Sequence, residues 1–199
     1  MLKETINQYL QDQIKNNSKV IKLFRDEKEY AEQYRLLPDG VTVEEIEPLS
    51  RFDEAYIERG NKLTDDVIAK ETNAFLKLPI DYFKKHINEF MFVESKWLEF
   101  VRVDAISFEI DDVFGTYDVM LGLRFPKKLG TTIKDQLRNQ LQSNGATFDL
   151  MFNNEDGLWD LNFSLEHVDG FKEELTIGQA YVIIYSFLFT LVKNIEENW

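Results

Sequence analysis

The chain has no cysteine in 199 residues. That excludes disulfides, cysteine-based zinc sites and thiol nucleophiles, and it fits a reducing compartment, the cytoplasm. Histidine is nearly absent as well. His86 and His167 stand far apart in sequence, whereas a metal site needs several ligands converging, so both read as structural or exposed and no metal is expected. Nine glycines leave no phosphate-cradling loop. There is no G-x-x-x-x-G-K-[ST], no G-x-G-x-x-G, no H-E-x-x-H and no G-x-S-x-G, and no cofactor is expected. Long apolar runs are missing too. The longest covers residues 180–192 and is interrupted by Ser186 and Thr190, short of the roughly 20 residues of a membrane-spanning helix. The first residues, MLKETINQYLQDQIKNN, have no apolar centre of signal-peptide type. No membrane association is expected.

Positive charge is scarce. The formal net charge is −13. Residues 1–100 hold 15 Lys/Arg against 20 Asp/Glu, and residues 101–199 hold 8 against 16, so the second half is the more acidic. Such a field repels phosphate backbones and anionic membrane surfaces, which makes nucleic acid a poor partner. The charge serves solubility, or it meets a basic protein partner. What the chain does have is apolar bulk: 44% hydrophobic residues, 14% aromatic ones and 16 phenylalanines. That is enough to fill a thick core and to offset the entropy of ordering.

Helical spacing of Leu2, Ile6, Tyr9, Leu10 and Ile14 predicts a first helix. A second is expected over 18–36, with Ser18 as N-cap and Pro38-Asp39-Gly40 as the turn that ends it. Residues 41–50 read as a short strand or connector. Helix is expected again over 52–59, over 64–78 and from Pro79 to residue 90. Beyond about residue 100 the period changes. Ile106, Phe108 and Ile110 alternate with polar residues, and so do Tyr117, Val119, Leu121, Leu123 and Phe125. A helix over 131–142 follows, closed by Asn144-Gly145. Then Phe148, Leu150 and Phe152 alternate, and so do Trp159, Leu161, Phe163 and Leu165. Thr176 and Gln179 form a capping box for a last, nearly all-apolar helix. The expected fold is α+β: a helical region 1–92, then an antiparallel ββαββα region 93–199 with its helices on one sheet face, together one structural unit.

The second half repeats. Ser107-Phe108-Glu109-Ile110 matches Thr147-Phe148-Asp149-Leu150, and the stretch from Gly115 matches the stretch from Gly157. The offsets are 40 and 42 residues, which gives the second hairpin a loop two residues longer. In both units an Asp, Asp118 or Asp160, follows the turn on the face away from the core. With Glu109, Asp149 and Glu166 these residues make the outer sheet face acidic. That face is a solvated surface, a docking face for a basic segment, or a cation site. The carboxylates of residues 109–112 lack the spacing of a known calcium loop. Trp159 belongs to the core face, Trp97 marks the seam between the halves, and Trp199 is frayed or docked.

The stretches ESKWLEFVRVDAISFEIDDVFGTYDVMLGL and DGLWDLNFSL resemble a family of short uncharacterised Bacillus-type proteins, some of which carry a branched-chain aminotransferase label. That label implies pyridoxal phosphate on a Schiff-base lysine in a larger two-domain fold. No position here matches such a motif, so no residue is carried over. The element order is also similar in outline to type III secretion chaperones.

These readings favour a non-enzymatic interaction or regulatory protein, chaperone-like, acting on a basic protein segment and able to form a homo-oligomer. The alternative is a small-ligand binder or enzyme with a pocket between the helices and the sheet. The residues singled out for contact are Glu109, Asp118, Asp149, Asp160 and Glu166.

Overall fold

Apolar residues two apart make strands, and this chain has more of them than its first half suggests. The structure, a computed structural model, describes residues 2–15, 19–141 and 147–198. Its elements are α1 (Leu2–Lys15), β1 (Val20–Leu23), α2 (Arg25–Gln33), β2 (Thr42–Glu45), β3 (Tyr56–Asn61), β4 (Val67–Glu71), α3 (Tyr82–Lys85), β5 (Glu89–Glu94), β6 (Val103–Ile110), β7 (Tyr117–Leu123), α4 (Gly130–Gln140), β8 (Phe148–Asn153), β9 (Leu158–Ser164) and α5 (Ile177–Glu197). Short 3-10 turns link several of them. The expectations at Ser18, at Asn144-Gly145 and at Trp199 lie outside the described residues.

Seven strands form one antiparallel sheet in the order β4-β3-β5-β6-β7-β9-β8. β1 and β2 form a separate parallel pair. The class is α+β, but the helical first half is corrected. The region 18–36 divides into β1 and α2. The regions 52–59 and 64–78 hold β3, β4 and the 3-10 turn Phe75–Lys77, and 79–90 holds one turn of helix before β5. The run Phe90-Met91-Phe92-Val93, with its aromatic and β-branched residues, favours extended chain over helix. Pairing of β3 on both sides then decides the outcome. The expected boundary between residues 92 and 93 falls inside β5, which pairs with β3 on one side and β6 on the other.

The inner face of the sheet is the core. Val93, Ile106, Phe108, Val119, Leu161 and Phe163 are almost fully buried on it. α5 lies over them, with Phe187 against Phe163 at 4.9 Å and Tyr181 against Phe108 at 6.0 Å. Twelve of the 21 residues of α5 are buried, each large one contributing about 2 kcal/mol on burial. The Thr176–Gln179 capping box is formed, with each side chain accepting from the other's backbone N–H at 3.2 and 2.9 Å. No helix among the described residues is long and apolar enough to cross a membrane.

The first elements pack on this helical layer. Trp97 sits at their seam, with Phe24 at 4.7 Å and Tyr9 at 5.3 Å. Leu2 N donates to the Glu196 carboxylate at 2.8 Å, and Tyr34 OH donates to Glu197. Arg51 is buried between the rings of Phe24 and Tyr185, at 3.9 and 3.5 Å. Its Nη1 and Nη2 donate to Glu27 at 2.7 and 3.2 Å, and Tyr185 OH donates to the same carboxylate at 2.5 Å.

The two hairpins of the second half carry the same turn. Asp111 Oδ1 accepts from Val113 N and Phe114 N at 2.8 and 2.5 Å, and Asn153 Oδ1 accepts from Glu155 N and Asp156 N at 2.9 and 3.3 Å. Gly115 and Gly157 then supply the left-handed residue, with φ of 67° and 69°. Ile110 pairs with Tyr117, and Phe152 pairs with Trp159. The loops are therefore of equal length, and Phe108 corresponds to Leu150 rather than to Phe148. The expected two-residue difference came from matching two phenylalanines across a register that does not align them.

Candidate interaction face

The strand period of two sends every second side chain to the face opposite α5. Along β7 these are Asp118, Met120 and Gly122, and along β9 Asp160, Asn162 and Ser164. β8 contributes Asp149 and Met151, and β6 Ser107 and Glu109. From β5 come Phe90 and Phe92. The registers fix their neighbours. Glu109 lies between Phe90 and Asp118. Asn162 lies between Met120 and Asp149, and Asp160 between Gly122 and Met151.

Four of the five acids singled out by sequence are therefore on one face. Asp149 and Asp160 are exposed, whereas Glu109 and Asp118 are half-buried and directly opposed. Burial raises the carboxyl pKa of both above the ordinary range. For Glu109, Lys62 opposes that rise, with Nζ 3.4 Å from its Oε1. For Asp118, a hydrogen bond donated by Thr116 Oγ1 at 3.2 Å opposes it. Like charges facing each other across strands cost a few tenths of a kcal/mol or more, on the order of a cross-strand pair, and Lys62 offsets that cost here.

Glu166 lies beyond the strands, at the end of this face beside Ser164. It follows β9 in the 3-10 turn Leu165–His167. Its carboxylate accepts from Tyr117 N at 2.9 and 3.1 Å and from Ser164 Oγ at 2.6 Å. It closes the end of the sheet. His86 stacks on Tyr82 at 4.1 Å, near Glu89. His167 lies at the rim of a groove of about 390 Å3 that also touches Asp118 and Asp149. Among the described residues no group of three or more His, Asp or Glu is arranged to hold a metal ion.

The same face holds something the sequence reading missed. A second groove, of about 370 Å3, runs over the middle of the face. Its floor is Phe92, Ala105, Met120 and Leu158, and Asp104 and Asp160 stand on its rim. Gly122 lines the groove too, and lets the Leu158 side chain lie close over the strand, since a Cβ there would meet Leu158 Cδ1 at 3.1 Å. The missed signal was the run Phe90-Met91-Phe92-Val93. A strand apolar on both sides is normally covered on both faces, yet the helices cover only one. Phe90 is partly used within the sheet, with its ring over Gly60.

The space between helices and sheet, the alternative location for a pocket, is occupied by packed rings. Phe83 meets Phe108 at 5.3 Å, Phe108 meets Tyr117 at 5.7 Å, and Phe52 meets Tyr181 at 5.8 Å. Comparison with known proteins adds no relative, since no protein-family model, curated protein or solved structure matches the chain.

Proposed function

We propose that this chain is a non-enzymatic interaction protein whose outer sheet face binds a basic, amphipathic segment of a partner protein. One observation carries the reading. The sheet face left bare by the helices holds a half-buried apolar strip of Phe92, Met120 and Leu158, bordered by Asp104, Asp118, Asp149 and Asp160. An apolar strip with an anionic border complements a segment that is apolar on one side and carries Lys or Arg along its edges. The net charge of −13 speeds the approach of such a partner. The matched turns and the strand-strand-helix order after residue 103 support a ββαββα unit that offers this face from both hairpins.

The test uses an 18-residue amphipathic Leu/Lys helical peptide, its scrambled isomer and a Leu/Glu analogue, titrated calorimetrically at low and high salt. The amphipathic basic peptide binds, and the scrambled and acidic ones do not. Phe92→Ser with Met120→Ser removes binding at unchanged charge. Equal binding of the scrambled peptide, or binding untouched by the double variant, reduces the face to a solvated acidic surface.

A further inference from the structure

The loops at one end of the sheet carry a second feature, which adjoins the outer face where Phe114 and Asp111 line one groove with Asp118 and Asp149, apart from the groove of Phe92 and Met120. Leu63, Val113 and Phe114 are 79%, 81% and 81% exposed, and Ile87 is 48% exposed. Large apolar side chains this open are single and scattered on an ordinary surface, but these belong to one place. Lys62 joins their loops. Its N donates to Asn88 O at 2.9 Å, and its Nζ donates to Ile110 O at 2.7 Å and to Asp112 Oδ1 at 2.6 Å. Leu63, Ile87 and Val113 are each the chain neighbour of Lys62 or of a residue that Lys62 holds. The Val113-Phe114 tip is itself fixed, because Asp111 Oδ1 accepts both of its backbone N–H groups. Apolar side chains on a fixed turn lose little entropy on binding.

The surroundings decide what covers them. Asp65 and Asp66 belong to the first tip, Asp111 and Asp112 to the second, and Lys62 is spent on Asp112 and Glu109. A second copy would set these carboxylates against their own counterparts. An anionic lipid surface is repelled for the same reason. We infer that this loop end is a second docking surface, and that it takes a segment of another protein in which apolar residues stand beside Lys or Arg. The apolar residues cover Leu63, Val113 and Phe114, and the cations meet the four aspartates.

The experiment selects binders from a displayed library of random 16-residue peptides on the full chain. Three proteins are compared: the unaltered chain, Val113→Ser with Phe114→Ser, and the outer-face pair Phe92→Ser with Met120→Ser. All three must melt alike, which the exposure of Val113 and Phe114 favours. The expected result is enrichment of peptides mixing apolar residues with Lys/Arg. Their affinity falls about tenfold or more in the tip variant and holds in the outer-face variant, so this surface stands or falls separately from the face proposed above. No enrichment, enrichment of acidic peptides, or equal affinity for the tip variant overturns the inference. So does a concentration-dependent dimer in sedimentation that the tip variant abolishes, which assigns the patch to a second copy. Tip-dependent binding to phosphatidylcholine vesicles overturns it as well, since the patch would then serve a lipid surface.

Discussion

Arg51 and Glu27 meet inside the helical layer as a two-point pair, at 2.7 and 3.2 Å, with side chains 2% and 0% exposed. They join α2 to the turn before β3, and Tyr185 OH adds α5. Two charges withdrawn from water gain little together, but either one left alone is costly. Arg51→Met and Glu27→Leu are each expected to destabilise the fold by about 3–5 kcal/mol, and the double variant by less than either single one. Urea denaturation of the four proteins checks this. Additive losses would mean the pair is not coupled.

Asp118 gives a pH dependence of definite sign. Burial raises its carboxyl pKa above the ordinary 3.8, so the folded chain holds that proton more tightly than the unfolded one. The cost of ionising it is fully present above the folded value and gone below the unfolded one. Asp118→Asn should raise the melting temperature at pH 7, with the gain shrinking as pH is lowered towards 3.8. Thermal melts across that window test the assignment. A gain independent of pH would mean that something other than ionisation is responsible.

Gly130 opens α4 directly against the Trp159 ring. A Cβ there would lie 2.4 Å from Cη2 and 2.8 Å from Cζ2. Alanine is the better helix former, yet Gly130→Ala must displace an indole that is only 7% exposed. A loss of about 1–3 kcal/mol is expected, as for overpacking in general, with a change in tryptophan emission. A neutral or stabilised variant would show that the ring has room to move.

Glu166 and Asp160 look alike in sequence and should behave differently. Glu166→Ala leaves Tyr117 N without its acceptor, at a cost of about 1–3 kcal/mol for an unsatisfied group. Asp160→Ala removes an exposed charge and should stay within about 0.5 kcal/mol. On peptide titration the order reverses, with the Asp160 variant losing affinity and the Glu166 variant keeping it.

The second-half strands were legible because Tyr117, Val119, Leu121 and Leu123 alternate without interruption and glycine marks each turn. β3 was not, because Arg59 occupies one of its core-face positions. Its charge is met by Glu71 and Glu89, both at 2.7 Å, partners on neighbouring strands that no local window contains. A half-buried arginine held by two carboxylates thus reads as a polar break in the pattern. The acids of the outer face were legible for the opposite reason, since each follows directly from alternation. Phe92 and Met120 beside them were not separable from core, because period alone cannot say which face of a two-sided apolar strand is left uncovered.

The contact of Leu2 with Glu196 sets an order of events at the ribosome. α1 packs on β1 and on the 3-10 turn Lys96–Val101, with Tyr9 against Trp97 and Phe100 at 5.3 and 5.7 Å, and only its first turn waits for α5, so its apolar stripe stays bare until that turn has been made. β3, β4 and β5 emerge early too, but the strand that completes their pairing, β6, comes only after residue 103. The nascent chain therefore carries unsatisfied edges and an unpaired helix until β6 has been made, when association with other chains competes with folding. Its acidity has a second use there, because like-charged unfinished chains keep apart.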